Sequence, residues 1–446
     1  MIQMDKTDKE AKKKEILLIT NRDSDNVGDQ LIEINNISLI HTVMKNLGYD
    51  QKDYVLFSRA AGIISRRYMK TENEDFLLKA RKAIGSADLV IFGGAPMFNY
   101  AYQNFYKRTI ISIKLAEEYK VPILFSSIGI EKYDEADQKC QSLKAALNES
   151  CVKLITTRDD LDSLRNYVTN EEILTARVSD PAVFSDIVVK KCQNQKKQKA
   201  MIGLVVVRGG IFKDNQISFS EEDQTKFWFD LVDRLTGLGY DYEFLSTGHF
   251  SDEAFLDKLC RERKVPISKF IFNINTPEDL IDRISSYDGL IAYRLHAGIA
   301  AYTYNVPSIG LIWNQKISFF YDIIGHPERA FECNDWNAET VVTALQKAMK
   351  EGISKDNDYI MSIYDTLFVS MKKLFRPEEK IIKYTYKDLI DNIHIFEGTS
   401  DEEKWFKLRR KFRRTYENYN LLETMLEKEK TKSFSQKLKA ILKPNH

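Results

Sequence analysis

Cysteine is scarce and unpatterned in this sequence of 446 residues, and its arrangement excludes two kinds of stabilisation. The five cysteines (Cys140, Cys151, Cys192, Cys260 and Cys333) form no CxxC pair and stand at no metal-ligand spacing with the six histidines. Their number is odd, so neither an oxidised framework nor a metal site is indicated, and a reducing cytoplasm is the expected setting. Long apolar runs are missing as well. Residues 1–14 are charged, and the run Ile16-Leu17-Leu18-Ile19 behind them is too short for a signal-peptide core. No later stretch reaches membrane-spanning length. The phosphate-binding signatures are incomplete too: after Gly93-Gly94 there is neither the later glycine of a dinucleotide fingerprint nor the Lys-Ser/Thr of a P-loop. There is no repeat at solenoid periods.

What is present is alternation. Short apolar runs at Ile16 to Thr20, Tyr54 to Phe57, Leu89 to Phe92, Ile123 to Phe125 and Leu154 to Thr156 are separated by helical patterns. This reads as a parallel sheet wrapped by helices. After the polar stretch Lys190 to Lys199 the pattern restarts with Ile202 to Val207, Tyr242 to Leu245, Phe270 to Phe272, Leu290 to Ala292 and Ser308 to Leu311. The expectation is α/β: a charged extension over 1–14, one Rossmann-like doubly wound domain over 15–190, a linker over 191–199, and a second such domain over 200–350. A helical, basic extension then covers 351–446. Two domains whose strand ends face one another leave a cleft, and ligands of open α/β sheets bind at the carboxyl ends of strands. The arrangement resembles the GT-B type of glycosyltransferase architecture.

Three segments at strand ends carry candidate chemistry. Asn26-Val27-Gly28-Asp29 precedes a helix over Leu31 to Leu47; Asn26 can cap its free N–H groups, Gly28 admits a ligand near the backbone, and Asp29 offers an acceptor or a base. A capped helix start with no ligand explains these residues equally. Gly93-Gly94 after the strand Leu89 to Phe92 allows a tight turn and close backbone approach, with a plain structural turn as the alternative. Tyr293-Arg294-Leu295-His296-Ala297-Gly298 follows the strand Leu290 to Ala292 and opens a small-residue helix. Two apart on an extended strand end, Arg294 and His296 are expected to point the same way. Arg supplies a forked cation for carboxylate or phosphate, and His exchanges protons near neutral pH. An internal ion pair and a satisfied core histidine form the competing reading. Arg208, ending a strand beside Gly209-Gly210, is a second candidate cation. Arg158, next to Asp159 and Asp160, reads as a buried salt-bridge partner.

Taken in order, Asn26-Val27-Gly28-Asp29, Gly93-Gly94, Ser127-Ile128-Gly129, Arg158-Asp159, Asp180-Pro181-Ala182, Arg208, Arg294-Leu295-His296 and Asn305-Val306-Pro307-Ser308-Ile309 resemble the polysaccharide pyruvyl transferase family, over about Ile16 to Gly325. The family commonly has a third glycine where this chain has Ala95-Pro96. The resemblance implies transfer of the pyruvyl unit of phosphoenolpyruvate onto a sugar diol of a cell-surface polysaccharide or its lipid-linked precursor, as a ketal. It assigns His296 as proton donor and Arg294 as anion clamp. Arg208 becomes the second cation, and Asn26, Gly28, Asp29, Gly93 and Gly94 lie around the substrates. Neither metal nor cofactor is implied; phosphoenolpyruvate is a co-substrate. A GT-B glycosyltransferase using a nucleotide sugar, and a catalytically silent binding member, are the alternatives.

Charge is unevenly spread. From Lys404 to His446 there are thirteen Lys or Arg against four Glu, so this tail holds +9 of a net +1 and residues 1–403 hold −8. Trp405, Leu408 and Phe412 fall on one helical face among cations, a composition suited to an anionic membrane surface at the inner face of the membrane. A stripe packed on protein is the competing reading, and nucleic acid is not the expected partner.

Overall fold

The computed structural model describes residues 12–100, 105–190, 199–262 and 265–431. Most of the expected linker, 191–198, and most of the N-terminal extension lie outside the described residues. The chain divides into a compact unit running to Gly398 and a second unit from Thr399.

The first unit holds two six-stranded parallel sheets. One is built from β1 (Lys14–Thr20), β2 (Tyr54–Ala60), β3 (Leu89–Gly93), β4 (Ile123–Ile128), β5 (Val152–Thr157) and β6 (Leu174–Arg177), in the order β2-β1-β3-β4-β5-β6. The other comprises β7 (Met201–Val205), β8 (Asp241–Leu245), β9 (Phe270–Ile271), β10 (Gly289–Ala292), β11 (Ser308–Leu311) and β12 (Ala330–Phe331), ordered β12-β11-β10-β7-β8-β9. Their central strands are buried throughout, as in β3 (LVIFG) and β7 (MIGLV), because helices cover both faces and leave no solvent side on which polar residues could alternate. The edge strands β9 and β12 are two residues long, a length that offers little unpaired backbone to another chain.

Strand order reverses between β1 and β3 in the first sheet and between β7 and β10 in the second. These are the topological switch points, where helices leave toward opposite faces and a crevice opens at the carboxyl ends. In register, Ile19 pairs with Phe92 and Ala292 with Val205. Asn26 to Asp29 and Gly93-Gly94 therefore follow the strands that flank one switch point, and Arg208 and Arg294 to His296 those that flank the other.

The two halves are joined by a continuous apolar cluster. It includes Val27, Leu31 and Leu39 from the helix Val27–Asn46, Ala182 to Phe184, and Leu295, Ala297 and Ile299 from the helix Leu295–Thr303. The helix Val27–Asn46 is buried on nearly every side, which explains why its apolar residues keep to no single stripe. Each fully buried aliphatic side chain in such a cluster stabilises by roughly 1.5–3 kcal/mol. Residues 351–398, assigned from sequence to a tail, instead complete this unit. The helix Asn357–Phe375 buries Ile360, Ile363, Tyr364 and Leu367 and packs against β4, β5 and the helix Val27–Asn46. The chain thus returns to the first sheet after finishing the second.

Candidate active site

Asp180 is the pivot of the site, although it stands on no regular strand. Ser127, at the end of β4, takes a positive φ of 52° where the pairing with β5 slips register. For a residue other than glycine this conformation is strained and needs support. Its amide donates to Thr156 Oγ1 at 2.9 Å and its hydroxyl to the Ser179 carbonyl at 2.8 Å. Ser179 is held from the other side by the helix Asn357–Phe375, its amide donating to Ser362 Oγ at 2.9 Å and its hydroxyl to the Ile360 carbonyl at 2.9 Å. Asp180 follows from this fixed point. Its Oδ1 caps the Ala182 amide at 2.8 Å, and its Oδ2 meets Arg158 Nη1 and lies 3.6 Å from His296 Nε2. Burial alone would raise the Asp180 carboxyl; Arg158 and His296 overcome it and hold the group well below the ordinary carboxylate range.

His296 comes from the opposite half. β10 ends at Ala292 and the helix begins at Leu295, so His296 already lies in a helical turn while Arg294 is the extended residue before it. The two side chains therefore diverge instead of sharing a strand face. His296 reaches across to Arg158 Nη1, 3.5 Å from its Nε2. Arg294 turns back within its own half and pairs with Asp252, its Nε and Nη2 donating to Oδ2 at 2.8 and 2.5 Å. Gly28 explains how His296 can approach so closely. A Cβ at Gly28 would lie 2.6 Å from Cβ and Cγ of His296, inside van der Waals contact. His296 keeps 9% side-chain exposure and Arg294 15%, so neither is sealed from solvent.

Asp252 had no place in the sequence reading, yet it ties the second switch point together. Fully buried, it accepts from the Arg208 amide through Oδ1 at 3.0 Å and from Arg294 through Oδ2. The ends of β7 and β10 are thereby held by one carboxylate. The Arg208 side chain pairs with Asp214 and is about one-third exposed. His249 lies nearby with its Nδ1 2.8 Å from Ser251 Oγ; burial lowers its ring below the ordinary histidine value, against the opposing pull of Asp252.

Lys316, also missed from sequence, adds a third cation. It opens the helix Gln315–Ile323, which Arg177 anchors to the first half by donating to the Phe319 carbonyl at 2.9 Å. Its ammonium lies 5.4 Å from the centre of the Trp313 ring, and the Arg294 guanidinium lies 6.0 Å from the same ring. The Trp313 N–H donates to the Tyr293 carbonyl at 2.5 Å, which fixes the indole against the end of β10. Burial, with Arg158 and Arg294 adding to it, brings the Lys316 ammonium down to about 8, against the pull of Asp159 and Asp29.

The remaining expected residues are placed as follows. Asn26 accepts from the Gly28 amide at 3.3 Å and from Thr247 Oγ1 at 2.7 Å, so it both caps the helix and ties the two halves together. Asp29 is buried and accepts from Asn21 Nδ2 at 3.0 Å. Gly93 faces Asn36, whose Cγ would be 2.8 Å from an added Cβ, and Gly94, at φ +62°, turns against Ile32. Packing of the helix Val27–Asn46 on β3 thus accounts for both glycines. Arg158 is the salt-bridge partner expected, but of Asp180 and not of its neighbours in sequence.

The arrangement suits a small polyanion. The Arg158 Nε is buried with no hydrogen-bond partner among the described residues, and the first turn of the helix Leu295–Thr303 has no side-chain cap. An unpartnered guanidinium N–H and a helix N-terminus both favour carboxylate or phosphate oxygens. Among the described residues no group of three or more His, Cys, Asp or Glu is placed to hold a metal ion.

Two parallel-sheet halves joined at their carboxyl edges define a GT-B-like α/β fold. Within that class the chain belongs to the polysaccharide pyruvyl transferase family, whose profile matches residues 13–315. No curated protein matches it by sequence. Among solved structures it is similar to UDP-GlcNAc 2-epimerase from Methanocaldococcus jannaschii, at 12% identity and a TM-score of 0.50 over 80% of this chain and 99% of that one. It is also similar to a Listeria monocytogenes protein assigned as a UDP-N-acetylglucosamine 2-epimerase, at 8% identity and a TM-score of 0.52 over 84% of this chain and 100% of that one. At such identities the likeness is one of fold. No described helix is long and apolar enough to cross a membrane.

Proposed function

We propose that the chain transfers the pyruvyl unit of phosphoenolpyruvate onto two hydroxyls of a sugar in a cell-surface polysaccharide or its lipid-linked precursor, releasing phosphate. The observation that carries this reading is Arg158: a buried guanidinium, touching His296 from the other half, with a donor left over. A buried donor without an acceptor costs about 1–3 kcal/mol, a cost that a bound carboxylate or phosphate would remove. Arg294 and Lys316, sharing Trp313, supply further positive charge on the side of the second half. Phosphoenolpyruvate carries both kinds of anion on three carbons.

In this scheme the protonated His296 gives its proton to C3 of the enol phosphate while a sugar hydroxyl adds to C2. Carbon C3 becomes the methyl group, C2 gains the new C–O bond, and the hydroxyl proton goes to a nearby base, for which buried Asp29 is the candidate. The C2–O bond to phosphate then breaks, and the electron pair leaves with the phosphate under the cations. The second hydroxyl attacks C2, passes its proton to the now neutral His296 and closes the ketal. When protonated, His296 presents an N–H toward Asp180, which orients the ring much as a carboxylate orients a catalytic histidine elsewhere. The scheme calls on no metal or cofactor.

Ligand-induced thermal shift tests the donor. Phosphoenolpyruvate is expected to raise the melting temperature of the wild-type protein and to lose most of that effect in Lys316→Met. Stabilisation by a nucleoside diphosphate sugar, with none from phosphoenolpyruvate, would favour a glycosyltransferase and overturn the reading.

A further inference from the structure

We infer that the segment 401–416 docks flat on an anionic lipid surface. The helix Asp401–Thr431 runs for 31 residues, and none of them is buried. Large apolar side chains are spread along it, with Trp405 71% exposed and Phe412 55% exposed. Aromatic side chains this exposed on an otherwise polar helix call for an apolar surface to meet. Trp405, Leu408, Phe412 and Tyr416 are spaced three, four and four residues apart, which places them on one face.

Charge decides what that face meets. From Lys404 to Arg414 there are seven Lys or Arg and no acid, whereas from Glu417 to Thr431 there are four Glu and two Lys. The positive charge is thus confined to the half of the helix that carries the aromatic face. Cations beside an anionic lipid surface each add to the attraction, and Trp, Phe and Tyr settle at the headgroup level. The apolar face is narrow and the helix too polar to cross a bilayer, so it lies in the interface plane. A second copy fits less well. Parallel pairing along Trp405, Leu408 and Phe412 would set Lys404 of one helix against Arg409 of the other, like charge against like.

This inference stands apart from the proposed reaction, and vesicle flotation of the full chain tests it. The protein is expected to float with vesicles containing phosphatidylglycerol, to stay behind with phosphatidylcholine alone, and to be released by raised salt, which screens surface charge. Replacing Trp405 and Phe412 together by Ser, or Arg409 and Arg413 together by Glu, is expected to weaken flotation at least ~10-fold while leaving phosphoenolpyruvate binding unchanged. Flotation independent of lipid charge, absence of flotation, or variants that float like wild type overturn the inference. So does a dimer in sedimentation that depends on Trp405 and Phe412 without vesicle binding.

Discussion

His296, Gly28 and Lys316 each carry an expectation that a single substitution can check. Loss of a positioned proton donor typically costs 10²–10⁴-fold, so His296→Ala is expected to lower turnover by at least ~100-fold with an unchanged circular dichroism spectrum. Gly28→Ala should act through the same histidine. The added methyl collides with the His296 ring, so turnover is expected to fall and overpacking to destabilise by about 1–3 kcal/mol in denaturant titration. Lys316 sets a pH dependence. Burial and neighbouring cations lower its ammonium from the ordinary lysine value to about 8, so its positive charge is complete below that pH and is lost above it. Affinity for an anionic donor is therefore expected to decline as pH rises through about 8, with the midpoint moving upward as the donor saturates the site. Lys316→Arg should keep affinity into the alkaline range, because a guanidinium does not titrate there; an unchanged alkaline limb in that variant would place the titration elsewhere.

At the scale of elements, the site is a pair of strand ends from each half held by buried carboxylates. Asp252 joins the ends of β7 and β10, and removing one partner of a buried pair typically costs 3–5 kcal/mol because the other charge is left uncompensated. Asp252→Asn is expected to lower stability by about that amount and to weaken donor binding, as Arg294 is released; equal stability in denaturant titration would show the tie to be idle. Such elements differ in how plainly sequence displays them. Arg294 and His296 stood out because they directly follow an apolar run, and ten of the twelve strands among the described residues were visible as such runs. The two that were not, β6 and β12, are edge strands with mixed exposure and too little apolar sequence to signal themselves. Asp252 was hidden because an acid in the first turn of a helix looks like a partner for the helix dipole. Lys316 was hidden in the polar helix start Asn314-Gln315-Lys316. Arg158 was read against its neighbours, whereas its true partner lies 22 residues on and meets it only in the folded chain.

Over the whole molecule, the compact unit ends later than composition suggested. Residues beyond Glu351 looked like a charged tail because the apolar positions of the helix Asn357–Phe375 are interrupted by Asp358, Asp365, Lys372 and Lys373, although its inner face closes over the first sheet. A chain ending at Gly398 is accordingly expected to melt within a few degrees of the full protein, and one ending at Glu351 to be insoluble or unfolded. Both halves contribute to one cluster of cations and one histidine, and the central claim is that a small dianion bridges them there. A crystal structure with phosphoenolpyruvate, or a stable analogue, bound to the wild-type chain tests that claim most directly. The account expects an oxygen of the ligand at hydrogen-bond distance from Arg158 Nε, with Arg294 and Lys316 around it and C3 facing the His296 ring. A donor found elsewhere, with Arg158 still unpartnered, would contradict it.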